Sequence, residues 1–201
     1  VIAELRRQAD DLDALIIAEQ VIERHQGVVT DAVRDELGRQ AKAHSHLLIL
    51  ADSRSHLKLF HNAIVKPNRR ELLGPNHSML EGVLAPVTAA AEELARTTSR
   101  PRSTTLDSHG IRVVDGVNPL HSPVVCITGT IHIVGEGGRT TARIVARLAA
   151  GGTADHAATV GCLVTSMTIQ QLEVTGTATP AQVLALLVEG ARRRVLDPFA
   201  T

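Results

Sequence analysis

The stretch IHIVGEGGRTTARIVARLAAG, Ile131–Gly151, reads as an apolar strand running into a glycine turn and then an amphipathic helix. Gly135, Glu136, Gly137 and Gly138 precede the helix, which is expected to begin at Arg139. Unpaired backbone amides and the positive end of a helix dipole can face an anion at such a turn. Glycine lets the backbone approach that anion closely. Taken alone, the cluster also fits a plain tight turn, so the surrounding chain has to decide.

Upstream, Ile2, Leu5, Ala9 and Leu12 fall on one helical face, and ALIIA (14–18) follows as a short apolar strand suited to burial on both sides. Thr30 is the expected N-cap of a helix that puts Ala32, Val33 and Leu37 on a common face, and LLILAD (47–52) is the next buried strand. NAIVKPN (62–68) gives a third strand, stopped by Pro67, which lacks the amide that a central ladder needs. Residues 78–100 read as mostly helical, with Pro86 kinking the helix or marking its first turn. RSTTL (102–106) and GIRVVDG (110–116) read as strands, and SPVVCITGTIHIV (122–134) as a hairpin turning at Gly129. Three helical patterns follow at 139–150, 154–172 and 180–194, expected to cover the sheet beside the glycine turn. Alternating helices and short apolar strands predict an α/β three-layer sandwich with a mainly parallel sheet, whose ligands gather at the carboxyl ends of the strands.

The bulk composition narrows the function classes. At 201 residues the chain is expected to form a single α/β domain, 1–201. Twenty-one basic residues match 21 acidic ones, and only Phe60 and Phe199 are aromatic, so neither a nucleic acid nor a membrane surface is an expected partner. No apolar run reaches the roughly 18 residues of a membrane span, and the opening segment is amphipathic and acidic rather than signal-like. Cys126 and Cys162 lie in apolar runs without CxxC spacing, which reads as buried thiols in a cytoplasmic setting. The chain opens on Val1 rather than Met, and a start partway through a gene product is expected.

Asn68 and Glu71 in KPNRREL stand just beyond the third strand. At a helix start both can face one cleft, where an amide and a carboxylate suit hydrated magnesium on phosphates. By itself the pair is also an Asn N-cap with its Glu at N3. His44, His46, His56 and His61 lack a zinc-type spacing and read as solvent-facing or locally bonded. Ser53 and Ser108 lie in no GxSxG turn, and Arg192–Arg194 suit a helix C-terminus better than a nucleic-acid patch.

Taken in order, ILADS, NAIVKPNRREL, the glycine turn and AATVGCLVTSMTIQQLEVTGTATP resemble the C-terminal, nucleotide-binding part of a ribokinase-like (PfkB) carbohydrate kinase. The resemblance runs from DALIIAEQ to GTATPAQVLALL. It implies a ribokinase-like fold without the family's N-terminal strands and lid, and with them most of its sugar contacts. The family's NxxE motif is matched by Asn68 and Glu71, which implies an indirect magnesium role. The family's DxxGAGD signature falls on His132 to Gly138, so Gly135, Glu136, Gly137 and Gly138 become the implied anion hole. TTLDSHG resembles the family's strand-end turn, which puts Thr105, Asp107 and Gly110 near the nucleotide.

Four departures qualify the implied activity. The signature's final Asp, the general base, is Gly138, which has no group to accept a proton. Its first Asp is His132, and its Ala is Glu136, whose carboxylate opposes phosphate oxygens. Asp107, standing where the family carries glycine, adds a second negative charge. The resemblance thus implies ATP-dependent phosphoryl transfer to a sugar hydroxyl, with Mg2+ and ATP as cofactors of weakened affinity, in a kinase impaired or inactive as written. Nucleotide and a sugar are the implied partners, and a homodimer is compatible. The alternative is a non-catalytic binding or scaffold domain that keeps the fold.

Overall fold

A computed structural model describes residues 1–74, 84–98, 103–107, 110–114, 119–123, 136–168, 171 and 177–193. The first helix, α1 (Ile2–Gln8), rests Ile2 and Leu5 on the core beside buried Ala9 and half-buried Leu12, the face read from the sequence. β1 (Ala14–Glu19) leads to α2 (Asp31–Ala43), where Thr30 takes the extended N-cap backbone without a side-chain cap bond. α2 buries Val33, Leu37 and Ala41, one residue per turn, whereas Ala32 is exposed. The buried stripe is therefore set by the four-residue row through Val33.

β2 (Leu48–Ser53) passes through a short 3-10 turn (Leu57–Leu59) into β3 (Ile64–Val65), a two-residue strand cut short ahead of Pro67. After α3 (Arg69–Leu73), α4 (Leu84–Thr98) has Pro86 in its first turn, where a missing amide costs no helical bond. β4 (Ser103–Asp107), β5 (Gly110–Val114) and β6 (Pro119–Pro123) follow, then α5 (Glu136–Ala149), α6 (Ala154–Thr168) and α7 (Pro180–Arg193). The hairpin read around Gly129 lies outside the described residues.

The strands form one sheet in the order β1-β2-β3-β4-β5-β6. β1 to β4 run parallel, with β1 on β2 in register from Ala14 opposite Leu48 to Glu19 opposite Ser53, while β5 runs antiparallel to both β4 and β6. Alternation along the strands sorts the core into two faces. Ile49, Ala51 and Val65 pack with Val33, Leu37 and Leu94 on one side. Leu50, Ile64, Ile111 and Val113 pack with Ile144, Val145, Leu148, Ala157 and Cys162 on the other. β1 departs from the expected two-sided burial: as the terminal strand in the order it leaves Ile16 40% exposed.

Gly161 permits the second layer. A Cβ there would lie 3.2 Å from both Ile111 Cδ1 and Ile144 Cγ1, so its absence lets α6 settle against α5 and the sheet. α7 meets the rest chiefly through α6 rather than covering the sheet, and Leu184, Leu187 and Val188 stay exposed. No helix among the described residues is long and apolar enough to cross a membrane.

Candidate functional site

The carboxyl ends of the parallel strands carry a concentration of polar residues that the apolar strand runs would not otherwise bury. β2 ends in Asp52 and Ser53, β1 in Glu19, and β3 passes into Lys66, Pro67 and Asn68. Lys66 is only 3% exposed, and its Nζ lies 3.2 Å from Asp52 Oδ2. The same Asp52 oxygen accepts a 3.3 Å hydrogen bond from Thr141 Oγ1 of α5. A buried ammonium is tolerable only with such a partner, so Asp52 ties β2, β3 and α5 together.

The Thr141 bond also sets the direction of α5. Thr141 meets the carboxyl end of β2, while Leu148, two turns on, shares its core cluster with Leu48 at the start of that strand. α5 therefore runs against the strands and presents its N-terminus at their carboxyl edge. The helix begins at Glu136, not Arg139, so Glu136, Gly137 and Gly138 form its first turn instead of preceding it. Glycine's low helix propensity matters least there, because first-turn amides have no helical partner to lose. Gly135 and His132 lie outside the described residues.

Asn68 and Glu71 form a complete capping box on α3. Asn68 Oδ1 accepts from the Glu71 amide at 2.8 Å, and the Asn68 amide donates to Glu71 Oε2 at 2.9 Å. Glu71 Oε1 faces Arg54 Nη1 at 3.9 Å. Burial pushes the Glu71 carboxyl above its ordinary range, and the charge of Asp52 adds to this, against the Asn68 amide, Lys66 and Arg54. With one carboxylate oxygen committed to the cap and its mate facing the Arg54 guanidinium, Glu71 could reach a cation only through water. Among the described residues no group of three or more His, Cys, Asp and Glu is arranged to hold a metal.

The remaining predicted positions come to the same edge at the level of the backbone. Thr105 and Asp107 belong to β4, with Asp107 at its carboxyl end paired to Gly110, which opens β5. The edge thus gathers the end of β4, the cap of α3, Asp52 with Lys66, and the first turn of α5. The backbone of that turn, a 14-residue helix opening on two consecutive glycines after Glu136, fits an anion. Asp52, Lys66 and Thr141 are site residues that residue-by-residue reading did not single out. Their signal was a charged residue ending each of two apolar strand runs.

A second buried network lies beside the first. Glu19, 6% exposed, accepts from Arg34, 2% exposed, and from Ser53 Oγ at 2.6 Å. Ser53 Oγ in turn accepts from the His56 amide at 3.0 Å, so its hydroxyl is buried and committed to structure. Arg34 also reaches Asp31 at 2.8 Å and lies over the Phe60 ring at 5.4 Å. Elsewhere, His44 Nδ1 sits 3.0 Å from Asp10, Cys162 is buried, and Cys126, Ser108 and Arg194 lie outside the described residues.

No protein-family model and no curated protein matches the sequence. Solved structures do. Phosphofructokinase-2 from Escherichia coli in complex with potassium superposes with a TM-score of 0.72 at 18% identity, over 95% of this chain and 62% of that one. Ribokinase from Arabidopsis thaliana complexed with ribose and ATP gives 0.70 at 13% identity, over 90% and 57%. Ribokinase from Giardia lamblia gives 0.71 at 13% identity, over 94% and 63%. The chain therefore spans about three-fifths of the length of these structures. Among the described residues, six strands in an α/β sandwich superpose in this way, which shows a ribokinase-like fold.

Proposed function

We propose that this chain is the nucleotide-side portion of a carbohydrate kinase whose phosphoryl transfer is impaired at position 138. The observation that carries the reading is the convergence of four elements on one sheet edge: the β4 end, the α3 capping box, the Asp52–Lys66 pair and the glycine-opened first turn of α5. In this reading the α5 amides orient toward the phosphates of ATP, and Asn68 and Glu71 hold hydrated magnesium beside them. Bound magnesium supplies neutralisation of the charge on the transferred phosphoryl group. Lys66 contributes a buried cation that Asp52 keeps balanced while unbound.

Proton removal is where the chain falls short. Gly138 carries no acceptor for the hydroxyl proton, and a missing general base lowers a rate by about 10² to 10⁴-fold. Glu136 and Asp107 add negative charge to an edge that has to receive an anion. The test is a coupled assay with ribose and with fructose 6-phosphate, comparing wild type with the triple substitution Gly138→Asp, Glu136→Ala and Asp107→Gly. Both proteins carry an added N-terminal ribokinase-like half that supplies the sugar contacts; gain of phosphoryl transfer in the triple variant then supports the reading, and equal rates in both refute it.

A scaffold domain that keeps the fold is the second reading. Leu184, Leu187 and Val188, 61%, 45% and 44% exposed on one face of α7, favour it. Calorimetry with Mg·ATP separates the two, because an impaired kinase retains nucleotide affinity and a scaffold need not.

A further inference from the structure

The described residues hold a cavity of about 340 Å3 that the kinase reading does not use, between the 3-10 turn, α3 and α4. Its inner wall is aliphatic: Leu57 and Leu94 are buried, and half-buried Leu72 completes the surface. Arg54, His56 and Lys58 line it from the β2–β3 connection. The carboxylates facing them are already engaged. Glu71 gives Oε2 to the α3 cap and turns Oε1 to Arg54 at 3.9 Å, and Glu93 accepts from Arg96 at 2.6 Å, with the Lys58 charge adding to the pull on it. His56 contributes shape rather than charge, since its buried Nδ1 faces Glu19 Oε1 at 3.5 Å.

We propose that this cavity binds a small organic anion, a phosphate monoester or carboxylate with a compact apolar body. The head group meets Arg54 and Lys58, and the body rests on Leu57, Leu72 and Leu94. The volume falls within the range of small-molecule sites, and an aliphatic wall with a few convergent polar groups is their usual composition. Arg54 is the stronger anchor: its Nε donates to Gln20 Oε1 at 2.9 Å, which orients the guanidinium, while its Nη1, 3.9 Å from Glu71 Oε1, is in no tight ion pair. An anion there competes with Glu71 for Arg54, so the cavity communicates with the edge where Glu71 caps α3.

The experiment is calorimetric titration of the full chain with phenyl phosphate, phenylacetate and benzyl alcohol, the last as a neutral body of similar shape. Saturable binding of an anion, at least about tenfold tighter than benzyl alcohol, is expected from charge-assisted contacts. The ratio between the two anions tells whether phosphate or carboxylate is the preferred head group. Lys58→Gln and Arg54→Gln, both at accessible side chains, should each weaken the anion about tenfold, and Ala90→Leu should abolish binding by filling the wall. Circular dichroism on each variant separates lost binding from lost folding. Absence of saturable binding, equal affinity for benzyl alcohol, or binding unchanged in Lys58→Gln and Ala90→Leu overturns the proposal. The phosphoryl-transfer assay is read separately, so failure of anion binding is distinguishable from failure of the kinase reading.

Discussion

Replacing Arg34 by Met removes one half of the buried Glu19–Arg34 pair while keeping an unbranched side chain against Phe60. Glu19 then retains only Ser53 Oγ at 2.6 Å and the His56 ring at 3.5 Å, at 7% side-chain exposure. Removing one partner of a buried ion pair costs about 3–5 kcal/mol, because the remaining charge stays desolvated. The additional bond to Asp31 is half in solvent and adds at most about 1 kcal/mol. For a chain of this size each kcal/mol lowers the melting temperature by about 2–4 °C, so a fall of about 6–20 °C is expected. With no Trp or Tyr in the chain, far-UV circular dichroism is the assay. The companion Glu19→Leu with Arg34→Met removes both charges and should recover most of the loss, since Ser53 Oγ still accepts from the His56 amide. A single variant melting within about 2 °C of wild type, or a double variant falling by the sum of the two singles, would refute this assignment of buried charge.

Asn68→Ala should lower stability by about 0.5–2 kcal/mol in urea titrations, whereas Asn68→Asp, which keeps the accepting oxygen, should cost less. Gly161→Val should cost about 1–3 kcal/mol, because even a Cβ already meets Ile111 and Ile144 at 3.2 Å. Glu36 is held down to about 2 by Arg6 first, then by Gln40. Its contribution is therefore full above the ordinary carboxylate range and lost as pH falls through about 2, and the gap between wild type and Glu36→Gln in acid titrations should close over that interval. Glu71 has the opposite sign: its carboxyl is raised by burial, so Glu71→Gln should gain stability relative to wild type as pH rises through and above the ordinary carboxylate range.

The first half of the fold was legible because each element carries its own signal. ALIIA and LLILAD are short apolar runs, Val33 and Leu37 stand on one helical row, and Pro67 ends β3. The start of α5 was misread by three residues because consecutive glycines argue against helix on propensity alone, and first-turn geometry overrides that argument. Ile16 departs from the two-sided burial expected of ALIIA because a local apolar run carries no information about which strand stands last among the described ones. The capping box was visible, since an Asn and a Glu three residues apart satisfy each other locally. Asp52 with Thr141 was not, because 89 residues separate them and only the crossing of α5 over β2 brings them together.

The central claim is tested most directly by adding Mg·ATP to the wild-type chain and following γ-phosphoryl transfer to ribose and fructose 6-phosphate in the same sample. The account predicts saturable nucleotide binding with transfer at least about 10²-fold below the 1–100 s⁻¹ usual for kinases. Transfer at those ordinary rates with Gly138 in place, or no binding of Mg·ATP at all, would contradict it.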